Sequence, residues 1–436
     1  MQIVIVGGGA GGLELATTLG KKLGRRNRAD ITLIDRNHTH IWKPLLHEVA
    51  SGSLDGELDA VTYRVQGHHC GFDFELGTLC GVNRANKTIK LAALHDEEGR
   101  EILPARERSY DILVLAIGSV SNDFNVSGVA SHCIFLDSVD QAARFHRRLV
   151  NGFIKLNQVI ANGNREQQIN IAIVGGGATG VELAAELYKA REWFATYGLK
   201  EISPQHLSVS IVEAGPRILP ALNEQIASGA HRELETLGVH VQLNTTVNSA
   251  DDEGLHTKDG QYIPADIAVW TAGIKAPDFL REIEGLQCNR AGQLIVKPTL
   301  QVRGDKDIFA LGDCAGFSLN SAEGRVSWVP PRAQSAHQMA ATTGKNIIAK
   351  IDGKPLREFI YRDRGSLVSL SDYSSFGRLM SGLGGSGINL EGKMARWAYV
   401  SLYRMHQVAL YGWWRTGILA LGDRFNHFVR PRFKLH

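Results

Sequence analysis

The stretch MQIVIVGGGAGGLELA, Met1 to Ala16, returns far downstream as INIAIVGGGATGVELAAEL, Ile169 to Leu187. In each copy a short apolar run, Ile3-Val4-Ile5-Val6 or Ile171-Ala172-Ile173-Val174, stops at glycine as a buried parallel strand does. A helix-forming run then opens after three glycines in the GxGxxG pattern. The physics asks for glycine three times: for the tight turn, for backbone approach to a pyrophosphate, and for packing of helix on strand. The helix N-terminus adds unpaired N–H groups and the positive end of its dipole. Gly7, Gly9 and Gly12 make the first cradle, with Gly8, Ala10 and Gly11 between them; Gly175, Gly177 and Gly180 make the second, which contains Ala178 and Thr179.

A further strand follows each cradle. Ile31-Thr32-Leu33-Ile34 ends in Asp35 and Arg36, and Val209-Ser210-Ile211-Val212 ends in Glu213. Each carboxylate falls about where one meets an adenosine ribose. A carboxylate at 213 accepts both ribose hydroxyls and repels a 2′-phosphate, so the second site is expected to prefer NADH to NADPH, although Arg217 stands nearby. Two grips in one chain imply two dinucleotides held together. A tightly held flavin and an exchangeable nicotinamide would let a hydride pass between them.

Composition narrows the field. With 436 residues, 44% hydrophobic and 21% charged, the chain is long enough for two or three domains and is neither disordered nor fibrous. Cysteines at 70, 80, 133, 288 and 314 form no CxxC pair and no zinc-like spacing, so neither a disulfide framework nor a metal site is expected, and a reducing compartment fits. The first strand begins at Gln2, and no window of about 18 residues is free of charge; neither a leader nor a membrane-spanning helix is expected. The net charge of +3 conceals an uneven distribution. Residues 393–436 carry eight Lys or Arg against one acid, Asp423, a basic appendage on a mildly acidic body.

With these features the chain resembles the two-dinucleotide-binding-domain flavoproteins over most of its length. The expected fold class is α/β, with two Rossmann-like dinucleotide-binding domains of glutathione-reductase-like arrangement and a C-terminal amphipathic helical membrane-anchoring region. The resemblance implies non-covalent FAD on the first copy and NADH, as substrate, on the second. It also implies ATG-like turns at Ala116 to Gly118 and at Ala272-Gly273, and a late flavin signature running from Thr299 to Gly312-Asp313. The expected ranges are 1–118 with 297–342 for FAD, 119–296 for NADH, and 343–436 for membrane-surface or dimerisation helices. Lacking a CxxC pair, the chain is set apart from the disulfide reductases. Cys133 and Cys314 do not match the surroundings found in sulfide:quinone reductases. The detailed match is to the bacterial type II, non-proton-pumping NADH dehydrogenases that reduce quinone. It is carried by His40 to Glu48 with Gly52, by Gly175 to Glu182, by Pro330 to Gln338, and by the basic aromatic tail.

The resemblance places Glu182 beside the nicotinamide and flavin, and Ala333 and Gln334 at the flavin. Gln334 and Gln338 are four apart on one helix face, so their amides could line a quinone pocket. Met339 stands where the related pattern has glutamate, leaving the proton donor to quinone open, and His337 points to another face. In the tail, Lys393, Arg404 and Arg415 recur every 11 residues among Trp397, Tyr399, Tyr403, Tyr411, Trp413 and Trp414. On one continuous helix they would share a face suited to an anionic membrane surface, with Arg424, Arg430, Arg432 and Lys434 adding charge. A dimerisation helix whose aromatics pack on a twin chain is the structural alternative; the two uses are compatible, and a homodimer is expected. The expected location is peripheral, on the cytoplasmic face of the inner cell membrane. An NADH-sensing flavoprotein with little turnover and a soluble reductase of a ferredoxin-like protein remain competing readings. Nucleic-acid binding is not expected.

Overall fold

The computed structural model describes residues 1–56, 60–190, 198–320, 326–370, 374–379, 388–391 and 393–429. Two compact units emerge. One comprises Met1–Trp42, Ala60–Val120 and Lys275–Arg362; the other comprises Lys43–Asp59, Ser121–Ile274 and Asp363–His436. These units cut the chain differently from the expected ranges: residues 43–59 group with the second unit although they lie between segments of the first, and 275–296 group with the first.

In the first unit the strand Gln2–Val6 is central to a five-stranded parallel sheet. The order is Ile308–Ala310, Ile112–Leu115, Gln2–Val6, Asp30–Asp35, Asp73–Leu76. Ile3, Val4, Ile5 and Val6 are all buried, as are Ile112 to Leu115, so this sheet is covered on both faces. In the second unit Ile169–Val174 takes the same place, in the order Cys133–Phe135, Ile267–Trp270, Ile169–Val174, Leu207–Val212, His240–Gln242. Each unit also has a three-stranded antiparallel sheet between the third strand and the strand that ends in the ATG-like turn. The outer strand differs in origin. It comes late in the chain, at Ile308, for the first sheet, and early, at Cys133, for the second, which is what insertion of one such unit into the other produces.

The second unit continues into an antiparallel sheet of Gly365–Leu370, Ser374–Leu379 and Ile388–Glu391, and then two helices, Lys393–Tyr411 and Trp413–Val429. Gly412, at φ 83, separates them. This corrects the expectation of one continuous helix: Arg415 lies beyond the break and does not share a face with Arg404. The earlier helix packs on the antiparallel sheet and buries His406, Gln407 and Leu410. Arg404 donates to Gln407 Oε1 at 2.7 Å and lies over the Tyr403 ring, so it is engaged locally. The later helix does the reverse. Trp413 (81% exposed), Trp414 (82%), Ile418, Leu421 and Phe425 (73%) stand in solvent, and the spacing from 414 to 425 is that of a single helical stripe. No helix among the described residues is long and apolar enough to cross a membrane. Arg430, Arg432 and Lys434, and the side chains of Lys393, Trp397, Tyr399 and Arg424, lie outside the described residues.

Candidate active site

The cradles repeat atom for atom in their backbone frame. Gly7 N donates to Ile34 O and Ala116 N to Val6 O, each at 2.8 Å; in the second unit Gly175 N donates to Val212 O at 2.9 Å and Thr271 N to Val174 O at 2.8 Å. Gly7 has φ 102 and Gly175 φ 108, where a side chain would be strained. A Cβ on Gly12 would lie 1.9 Å from Gly7 O, and one on Gly180 2.2 Å from Gly175 O. These contacts fix helices Ala10–Lys22 and Ala178–Ala190 against their strands.

The middle glycine behaves differently. A Cβ on Gly9 or on Gly177 would meet nothing within 4 Å. No protein packing explains glycine there; space kept for a pyrophosphate does. The helix behind Gly9 has no side-chain cap on its N-terminus, leaving its first N–H groups for an anion. The residues therefore fit one dinucleotide per unit.

The carboxylates close each cradle. Asp35 Oδ2 accepts from Gly8 N at 2.6 Å and Oδ1 from Asn37 N at 2.8 Å. Burial raises its pKa, and those two amides oppose the shift. Glu213 accepts from Gly176 N at 2.7 Å and Gly215 N at 2.6 Å. Each carboxylate oxygen keeps a second lone pair for a ribose hydroxyl. Arg217 spends its guanidinium on the carbonyls of Leu219 and Pro220, so its proximity to Glu213 does not make it a phosphate clamp. Arg36 is exposed. Gly8 is pressed by the buried Tyr63 ring, whose hydroxyl donates to Gly8 O at 2.9 Å, a support that the sequence did not signal.

The late signature joins the first cradle. Asp313 Oδ2 accepts from Ser119 Oγ at 2.8 Å, just past the turn of Ala116 and Gly118. Helix Ala333–Ile351 packs on Ala10–Lys22. There Met339 is buried, and its sulfur accepts from Gly312 N at 3.4 Å. The thioether thus seats the turn before Asp313, a packing role in place of the glutamate of the related pattern. Gln338 is engaged at both ends, donating to Arg362 O (2.9 Å) and accepting from Arg362 N (3.0 Å). Its amide braces backbone, which argues against the quinone contact expected of it. Gln334 and Ala333 sit half-buried in the helix's first turn. In the second unit the Trp270 indole donates to the carbonyls of Asn122 and Ala272, setting the turn of Ala272 and Gly273.

Glu182 lies in the first turns of helix Ala178–Ala190. It is 6% exposed, its Oε1 accepts from Ser369 N at 3.1 Å, and its Oε2 lies 3.6 Å from Nδ1 of buried His47. Burial lowers the His47 pKa to about 4, against the opposing pull of the Glu186 charge and a hydrogen bond to the Pro44 carbonyl. Among the described residues no group of three or more His, Cys, Asp or Glu is arranged to hold a metal. Burial pushes the thiols of Cys133 and Cys314 up to about 12, far from thiolate chemistry.

A profile of the family described as "Pyridine nucleotide-disulphide oxidoreductase" matches residues 1–340. Over 446 aligned positions, 100% of both chains, the sequence is 49% identical to the type II NADH:quinone oxidoreductase of Haemophilus influenzae. The chain belongs to this family. A Mycobacterium tuberculosis type II NADH:quinone oxidoreductase is 28% identical over 94% of this chain and 86% of its own. The fold is also that of NDH2 from Plasmodium falciparum, solved in complex with NADH, at a TM-score of 0.83, 20% identity and 99% coverage of both chains.

Two predictions follow from this geometry. Gly9→Ala should fold, because a methyl there meets no protein atom, yet purify with little flavin; Gly177→Ala should keep its flavin and raise the KM for NADH. Flavin absorbance per protein and NADH titration read the two separately. His47, neutral when buried, contributes stability that is complete above its unfolded pKa of 6.5 and is lost as the pH falls through about 4. The loss should approach about 3 kcal/mol, and melting temperatures should therefore drop more steeply below pH 6.5 in the parent than in His47→Phe.

Proposed function

We propose that this chain takes a hydride from NADH and delivers two electrons to a quinone, without proton pumping, with FAD held non-covalently in the first unit and NADH visiting the second. The observation that carries the assignment is the pair of open spaces before Gly9 and Gly177, each beside the central strand of a five-stranded parallel sheet. One dinucleotide would leave the other space without a reason. FAD, when bound, accepts the hydride and releases its electrons one or two at a time. The chain's own residues bind and orient. In this reading Gly7 to Gly12, Asp35 and Asp313 hold the flavin nucleotide, with Ala116, Gly118 and Ala333 lining its path. Gly175 to Gly180, Ala272 and Gly273 hold the nicotinamide nucleotide, with Glu213 on the ribose and Glu182 near the reacting end. A carboxylate at 213 with Arg217 otherwise engaged supports NADH over NADPH.

Gln334 is the amide we assign to the quinone. It stands in the first turn of its helix, where N–H groups and dipole would also favour the negative charge that builds on quinone oxygens as the ring is reduced. The Gln338 side chain is assigned to bracing. We assign the chain a peripheral seat on the cytoplasmic face of the cell membrane; the stripe of Trp413, Trp414, Ile418, Leu421 and Phe425, an apolar face continuous enough to enter the headgroup region, supports the membrane contact. An amphipathic helix of this kind would bring the enzyme to a lipid-dissolved substrate. Pairing of the same stripe with a second copy is the other use it permits.

The purified protein should be yellow, bleach on anaerobic addition of NADH, and regain its absorbance with a short-chain quinone. A colourless protein that cannot be reconstituted with FAD overturns the assignment. Truncation after residue 411 should preserve NADH oxidation by a soluble acceptor and abolish sedimentation with anionic vesicles, whereas retained vesicle binding removes the later helix from the membrane. Gln334→Trp should depress quinone reduction about 10-fold and spare reduction of ferricyanide.

A further inference from the structure

Glu14 and Glu182 occupy the same place in the two copies, two residues after the last cradle glycine. Both are buried, and each turns toward a histidine. Glu14 Oε2 lies 2.5 Å from His337 Nδ1, and Glu182 Oε2 lies 3.6 Å from His47 Nδ1. The two pairs differ in their access to water. The His337 side chain is 40% exposed and that of His47 only 3%. The first pair is therefore open to solvent protons, and the second is enclosed.

Helix Leu46–Ser51 carries His47 against helix Ala178–Ala190. Around the imidazole stand Glu48 on its own helix, with Oε1 3.9 Å from Nε2, and Glu182 and Glu186 one turn apart on the cradle helix. Glu186 is also buried and accepts from Ser53 Oγ at 2.8 Å. Helix Val139–Ala161 brings His146, whose Nδ1 lies 3.3 Å from Ala50 O. Strand Gly365–Leu370 brings the Ser369 amide, and its sequence has no titratable side chain. A neutral imidazole has one N–H, and three acceptors stand around this ring: the Pro44 carbonyl, the buried Glu182 carboxylate on the Nδ1 side and the partly exposed Glu48 carboxylate on the Nε2 side. A lone pair on Nδ1 facing the buried Glu182 carboxylate would be repelled unless a proton stood between them. The 3.6 Å separation exceeds hydrogen-bond length, a looseness common before substrate arrives at groups that tighten around it.

We propose that His47 is the positioning residue of Glu182, fixing the orientation of its carboxyl group and sharing one proton with it between Nδ1 and Oε2. The inference rests on the reading of Glu182 as part of the NADH site. It is tested on FAD-loaded enzyme carrying His47→Phe, His47→Asn, Glu182→Gln and the corresponding double substitutions. Flavin reduction by NADH is followed by stopped flow across about pH 5 to 9, and NAD+ affinity by calorimetry. Expected are a rate lowered about 10-fold or more in His47→Phe, a displaced pH profile, and an NAD+ affinity within about 2-fold of the parent. His47→Asn, which keeps a polar group near Nδ1, should recover much of the rate but retain the displaced profile. Adding either His47 change to Glu182→Gln should cost nothing further, because coupled residues are non-additive. Additive losses, or parental rate and pH profile in both His47 variants, overturn the proposal; if His47→Phe does not retain flavin, His47→Asn alone decides. Parental kinetics in Glu182→Gln would instead remove Glu182 from the NADH site. A slow Glu182→Gln with indifferent His47 variants leaves that site standing and sinks only the pairing.

Discussion

Everything in this chain depends on how closely a helix can approach the strand before it. With Gly12 and Gly180 in contact with the carbonyls of Gly7 and Gly175, the helix axis comes near enough to aim its first N–H groups over the end of the sheet. Any side chain at either position would collide with backbone, which has nowhere to yield. The strand order then follows. Once a central strand carries the cradle, its neighbours at Ile31 and Ile112, or at Val209 and Ile267, deliver the ribose carboxylate and the ATG-like turn to the same edge. A single steric requirement, met twice, generates both sites.

The copies have not stayed equivalent. In the first unit the glutamate of the cradle helix ties it to Ala333–Ile351, the helix that also seats the Gly312-Asp313 turn through Met339. In the second, the equivalent glutamate ties the cradle helix to Leu46–Ser51 and to the strand beginning at Gly365. These differences suit two tenants. A prosthetic group benefits from a site braced on all sides, whereas an exchanging substrate benefits from a carboxyl group whose contacts are still long enough to adjust.

How much of this could be read from the sequence depended on the range of the interaction. The cradles, the alternating strands and helices, the carboxylates Asp35 and Glu213 at the strand ends and both turns are written in runs of a few residues, which a local pattern reports well. Gly412 was equally visible, but one glycine inside an otherwise helical pattern is tolerated often enough that it did not declare a break. The occupation of Gln338 depends on backbone 24 residues away, and the His47 contact on a helix more than 130 residues away. No spacing rule reaches so far. Glu14 is the exception: its match to Glu182 stood in the repeat itself and could have been taken from it.

The family's name speaks of disulphides, and the chemistry of this chain cannot. A thiol reacts as thiolate, and both cysteines nearest the sequence signatures, Cys314 beside the Asp313 turn and Cys133 on the outer strand, are buried with their pKa values driven to about 12. Cys314 is further committed as a donor toward the Leu115 and Leu311 carbonyls. Burial keeps these two thiols in the protonated form, which suits neither of them to disulfide exchange. The family assignment names a quinone, a diffusible acceptor, in place of a protein disulfide. The exposed Trp413, Trp414 and Phe425 form an apolar stripe of the kind that marks a binding surface, the feature on which the proposed membrane seat rests.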